Sequence, residues 1–199
     1  NQSGCKGVCK GLEDIDAKTL GTPDICPATG CYDETLLKGL GATIKKVQGD
    51  QVVVLHQLGN HGPAYYARYP KEFEQFKPVC ASSDLGRCTQ QEIYNAYDNA
   101  ILYTDHILSR ALDLLKAETH RNVVFIYVSD HGESLGEGGF YLHGLPYAIA
   151  PKEQTRPPMM MWVSDQFVKE NKYSKRNCLN YWHEFKRPNH YLSSCRNDF

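Results

Sequence analysis

VVFIYVSDHGESLGEGGFYLHG, Val123 to Gly144, is the stretch that decides how this chain folds. Its first six residues, Val123 to Val128, are apolar or aromatic and partly β-branched, which is the composition of a buried strand. The run then breaks into Ser129-Asp130-His131-Gly132-Glu133, so a carboxylate and an imidazole sit where a core strand ends. In open α/β sheets, ligands bind at the carboxyl ends of the strands. His143 follows behind a glycine-rich loop. Aspartate and histidine together are good ligands for a borderline cation such as Zn²⁺.

Working outward, Gln51 to Leu58 (QVVVLHQL) reads as a second core strand. It too runs into a glycine-rich turn with a histidine, Gly59-Asn60-His61-Gly62-Pro63. Met159 to Val163 is a third strand, with Pro157 and Pro158 at its start, where a missing N–H does least harm. Thr89-Gln90-Gln91-Glu92 has capping-box spacing, and a long helix follows to about Lys116. Its apolar face is Ile93, Ala96, Ala100, Ile101, Thr104, Ile107, Leu108, Ala111 and Leu115. An earlier helix starts at Tyr32, with Leu36, Leu37, Leu40, Ile44 and Val47 on one face. Asp33 and Glu34 suit its first turn and Lys45 and Lys46 its last, while Gly39 and Gly41 weaken it.

The remaining segments are irregular. Residues 1–31 are a glycine- and proline-punctuated loop. Residues 63–88 are mostly loop, and their aromatics Tyr65, Tyr66, Tyr69, Phe73 and Phe76 either line a groove or cover the core edge, the second being the plainer reading. Beyond Ser164 the chain turns polar, and His183 and His190 read as surface residues. Helix, strand, long helix, strand and strand in succession predict an α/β fold, a mostly parallel sheet flanked by helices. Three strands are few for such a sheet, so the chain is expected to be one portion of a larger α/β domain. Its parts are a pinned loop (1–31), an α/β core (32–165) and an irregular tail (166–199).

Composition narrows the functional classes. The 199 residues carry a net charge of -1 with no long basic block, which argues against binding a phosphate backbone by charge. No apolar run is long enough to span a bilayer, and no signal peptide is visible. The eight cysteines fall as near neighbours: Cys5 with Cys9, Cys26 with Cys31, Cys80 with Cys88, and Cys178 with Cys195. An even count at short spacings in turn-like segments fits disulfides formed in an oxidising compartment. A zinc–thiolate cluster is the rival, but it lacks a tight CxxC pair.

Four residues therefore stand out as chemistry: His61, Asp130, His131 and His143. A sharp turn or a metal pair would let the adjacent Asp130 and His131 both act as ligands. Glu133 is placed to hold the second nitrogen of a ligand histidine. Gly132-Glu133-Ser134-Leu135-Gly136 matches the G-x-S-x-G pattern formally. A nucleophilic serine there needs a strand-to-helix elbow, and a glycine-rich loop follows instead.

SDHGESLGEGGFYLHGLPYAIAP, together with GNHGPAYYARYP, GCKGVC, CYDE and YDNAILYTD, resembles the lipid A phosphoethanolamine transferases, including those associated with mobile colistin resistance. These belong to the alkaline phosphatase and sulfatase superfamily. The resemblance implies a zinc-dependent catalytic domain at the periplasmic face of the bacterial inner membrane, anchored by a transmembrane region. It implies transfer of phosphoethanolamine from phosphatidylethanolamine to a lipid A phosphate through a phosphorylated threonine. Asp130 and His131 resemble the family's zinc ligands. His61 and His143 resemble the histidines that bind a second zinc or the phosphoethanolamine group, and Asn1 and Lys6 lie in a segment near the substrate. The nucleophilic threonine and an acidic zinc ligand are expected upstream of residue 1, so Thr22, Thr29 and Thr35 are not assigned that role. On that expectation the chain alone lacks transferase activity. A sulfatase or phosphodiesterase of the same superfamily, and an inactive binding module, are the alternatives.

Overall fold

A computed structural model of the protein describes residues 10–28 and 30–171. Asn1, Lys6, the Cys5–Cys9 and Cys178–Cys195 pairs, His183 and His190 lie outside the described residues. The chain divides into two compact units, Asn1–Ala111 and Leu112–Phe199.

The first unit is built on a long helix. Among the elements before it are a 3₁₀ turn, Asp33–Leu37, and the short helix α1, Leu40–Lys46. The expected continuous helix breaks because Gly39 takes a left-handed conformation, φ 74°, that a side chain would strain. The long helix α2, Gln90–Lys116, opens on a reciprocal cap. Glu92 accepts from the Thr89 backbone N–H at 2.7 Å and from its hydroxyl at 2.9 Å, and the Glu92 N–H donates to Thr89 Oγ1. Ile93, Ala96, Ala100, Thr104, Ile107, Leu108 and Ala111 are buried on one face of α2, but Ile101 is exposed.

Asn99 is buried on α2 and organises the loop before it. Its Oδ1 accepts from the backbone N–H groups of Gln75 and Phe76, and its Nδ2 donates to the Phe76 carbonyl and Tyr69 hydroxyl. Tyr65 and Tyr69 are buried, and Tyr65 packs edge-on against Tyr97 with ring centroids 5.3 Å apart. These aromatics cover the core edge. Disulfides join Cys26 to Cys31 and Cys80 to Cys88, each closing a loop that has little regular structure of its own.

The second unit contains the strands. β1, Val124–Val128, pairs antiparallel with β4, Met159–Val163. Between them lie the short strands β2, Ser134–Leu135, and β3, Tyr141–Leu142, also an antiparallel pair. Helix α3, Lys152–Thr155, precedes β4, and α4, Asp165–Glu170, follows it. Ser164 caps α4 by accepting from the Phe167 N–H.

The expected mostly parallel sheet is therefore wrong. Among the described residues there are two small antiparallel sheets, and helix outweighs strand. Gln51 to Leu58 forms no strand, and Val52 and Val54 are 91% and 76% exposed. An apolar run becomes a strand only where a neighbour takes its N–H and C=O groups, and composition does not supply that neighbour. Without that strand, the parallel crossover expected through α2 has no first member. β1 pairs instead with β4, and the connection between them is hairpin and loop with one short helix, not a long covering helix. Val124, Ile126 and Val128 remain exposed and Phe125 and Tyr127 are half-buried, so β1 is apolar on both faces but only half-covered on one.

Candidate active site

In the second unit, β1 ends in a tightly held turn. The Ser129 hydroxyl donates to the His131 carbonyl at 2.7 Å, and the His131 N–H donates to Asp130 Oδ1 at 3.1 Å. The Gly132 N–H donates to the Gln154 carbonyl at 2.9 Å. A Cβ on residue 132 would lie 1.9 Å from the Glu153 carbonyl oxygen, so only glycine fits between the turn and α3. Gln154 is itself buried. Its side chain donates to Ser134 Oγ at 2.9 Å, and its Oε1 faces the Leu145 N–H at 3.4 Å. One glutamine thus ties the segment after His131 to the segment after His143.

The imidazoles of His131 and His143 stack, with ring centroids 3.9 Å apart and an interplanar angle of 27°. His143 Nδ1 lies 2.8 Å from Glu133 Oε2, and His131 Nδ1 lies 2.9 Å from the Gly132 carbonyl. A carbonyl or carboxylate oxygen only accepts, so each Nδ1 carries a proton, and in the neutral ring the lone pair sits on Nε2. His131 Nε2 is 3.8 Å from Asp130 Oδ1.

This donor set fits a zinc ion. Ligand-type atoms of His131, Glu133 and His143 lie within 4.8 Å of one another. Imidazole nitrogen and carboxylate oxygen are among the ordinary ligands of Zn²⁺, and a carboxylate on the far nitrogen is how such a histidine is usually held. Glu133 makes that contact with His143. The structure thus brings His131 and His143 together with Glu133 in the second unit, while Asp130, its side chain 87% exposed, lies beside His131 and outside that group.

His61 belongs to the first unit. Its Nδ1 lies 2.8 Å from the Gly62 carbonyl, the same arrangement as in His131-Gly132. The backbone N–H groups of Leu58 and Gly59, just before it, donate to the Asp33 carboxylate.

Ser134 is no serine nucleophile. It is fully buried in β2 and its hydroxyl accepts from Gln154. Asp33 and Gln154 were not legible as site residues. Asp33 reads as an ordinary first-turn acid, and Gln154 lies in a polar stretch with no periodicity to mark it.

The family model for sulfatases matches residues 1–185. The chain belongs to the sulfatase family. Within that family it is 46% identical over 180 residues to phosphoethanolamine transferase EptA of Escherichia coli, covering 90% of this chain and 33% of that protein. It is 44% identical over 176 residues to the phosphatidylethanolamine transferase Mcr-1 of Escherichia coli, covering 83% of this chain and 32% of that protein. Among solved structures it resembles the soluble domain of lipooligosaccharide phosphoethanolamine transferase A from Neisseria meningitidis. The TM-score is 0.83 at 40% identity, over 91% of this chain and 54% of that one. The chain thus spans about a third of the length of these curated sulfatase-family relatives.

Proposed function

We propose that this chain is part of the catalytic domain of a phosphoethanolamine transferase, acting at the periplasmic face of the bacterial inner membrane. Phosphatidylethanolamine is the donor and a lipid A phosphate the acceptor. The observation that carries this reading is the His131–Glu133–His143 cluster, found in a chain 46% identical to a phosphoethanolamine transferase.

Asp130 and His131 would hold zinc, and His143 would hold either a second zinc or the phosphoethanolamine group; His61, in the first unit, is a candidate for the same kind of contact in its own right. Zinc in such a site supplies Lewis acidity at the phosphoryl oxygens and lowers the pKa of a bound hydroxyl. Stacking and the Glu133 hydrogen bond keep the His143 imidazole in one orientation, with its lone pair on Nε2. The Gly132 carbonyl does the same for His131. Transfer is ping-pong: a threonine oxygen displaces diacylglycerol from phosphorus, and the acceptor phosphate oxygen then displaces the threonine. None of the threonines in this chain is assigned to that step. Asn1 and Lys6 remain candidate substrate contacts, Lys6 as a point charge near phosphate.

The test is mass spectrometry of lipid A from cells expressing the full-length protein. A phosphoethanolamine adduct is expected, and it should vanish in His131→Ala and His143→Ala variants. Membership of the sulfatase family favours one other reading, hydrolysis of a phosphate or sulfate ester. Release of free phosphoethanolamine or sulfate with no adduct on lipid A would establish that reading in place of transfer.

A further inference from the structure

The turn that carries His61 is gripped from three sides. Asp33, buried in the 3₁₀ turn that precedes α1, accepts from the Leu58 N–H at 2.9 Å on one carboxylate oxygen and from the Gly59 N–H at 2.8 Å on the other. Thr104, on α2, donates its hydroxyl to Asn60 Oδ1 at 2.7 Å. Arg68 donates its Nε–H to the His61 carbonyl at 2.6 Å. Every residue from Leu58 to His61 therefore has a side-chain contact from outside the turn, and Gly59 takes the positive φ of 56° that lets the chain bend there.

A buried carboxylate is costly unless both oxygens are satisfied. Here two successive N–H groups need two acceptors on one rigid fork, which an aspartate supplies and an asparagine does not. Burial pulls the Arg68 guanidinium below its usual value, and the Asp33 charge acts against that pull. The acid and the base thus bracket the same turn. These contacts lie outside the hydrogen bonds of any helix or strand, and their common product is the placement of residues 58–61.

We propose that Asp33 is a positioning residue for His61. By fixing the Leu58–His61 turn it presents the imidazole at one place, with Nδ1–H on the Gly62 carbonyl and the lone pair on Nε2. The proposal rests on the reading of His61 as a histidine that binds the phosphoethanolamine group or a metal beside it.

The test is a double-mutant cycle in the full-length protein, Asp33→Asn against His61→Ala, followed by kcat/KM for phosphoethanolamine transfer. Asp33→Asn alone should lower kcat/KM about ten- to hundredfold, the loss expected from a misplaced group. In the His61→Ala background it should cost nothing further. An equal loss in both backgrounds overturns the proposal. A fully active His61→Ala variant would sink the role given to His61. The cycle is then replaced by the His61 imidazole ¹H–¹⁵N correlation in Asp33→Asn. A shifted His61 signal with His131 and His143 unchanged upholds the clamp, and an unmoved signal refutes it. Where Asp33→Asn does not fold, Thr104→Val loosens the same turn through Asn60 and takes its place in each measurement, with the same outcomes expected.

Discussion

His143 Nδ1 lies 2.8 Å from Glu133 Oε2, and the Glu133 side chain is only 5% exposed. A carboxylate so sheltered, bonded to an imidazole nitrogen, fixes both the tautomer and the rotation of that ring. Glu133→Gln keeps the shape and an acceptor but removes the charge. Zinc affinity is expected to fall about 10- to 100-fold, the usual cost of losing the partner of a ligand histidine. Competition against a chromogenic chelator measures it, and an unchanged zinc affinity would show that the pair does not support a metal.

Gly132 and Gln154 join the His131 turn to α3. An alanine at 132 would set its Cβ 1.9 Å from the Glu153 carbonyl oxygen, which is backbone and has no rotamer to escape into. Gly132→Ala should destabilise the protein by about 1–3 kcal/mol, the range for forced overpacking. Gln154→Leu should cost about 1–3 kcal/mol as well, for a different reason: the buried Ser134 hydroxyl loses its donor. Urea titration gives both values. A neutral Gly132→Ala would mean that the α3 turn is free to retreat.

Local chemistry was readable in the residues and long-range pairing was not. Thr89 and Glu92 carry their cap in their spacing, so the start of α2 is legible from the residues alone. Met159–Val163 and Val124–Val128 are strands because their apolar, β-branched or long side chains sit between turn signals. Val52 to Val54 carry the same signal and form no strand, because a strand also needs a partner that its own letters do not name. The histidines of DHG and LHG could be flagged from their glycine-flanked turns. Asp33 and Gln154 could not, because each acts on a segment some twenty residues away.

The α2 cap should respond to acid. The Thr89 backbone N–H, and after it the Thr89 hydroxyl, hold the Glu92 carboxyl below its usual value. A depressed carboxylate stabilises the folded state above its unfolded value, and that contribution disappears as pH falls through the lower folded value. The NMR Cα shifts of residues 90–93 should therefore lose helical character below the usual glutamate range. In Glu92→Gln the same shifts should be flat across that window. An identical pH response in the two proteins would place the titrating group elsewhere.

Asn99 offers the most direct test of what holds the first unit together. Its side chain is buried on α2 and satisfies four partners: the Gln75 and Phe76 N–H groups, the Phe76 carbonyl and the Tyr69 hydroxyl. Burial also raises the Tyr69 hydroxyl above the usual phenol range, while the Asn99 hydrogen bond acts in the opposite direction. Leucine has the same branched heavy-atom skeleton with bulkier methyl ends, so Asn99→Leu leaves no cavity but strips two main-chain donors and one acceptor of their partner. Each stranded group costs about 1–3 kcal/mol where water does not reach it, so the total should be at least about 3 kcal/mol. Asn99→Asp retains the acceptor for both N–H groups and loses only the donor side, so it should fall between leucine and the unsubstituted protein. Chemical denaturation orders the three. Equal stabilities for the leucine and aspartate variants would mean that the loop before α2 is held by its aromatics and the Cys80–Cys88 bridge, with Asn99 a bystander.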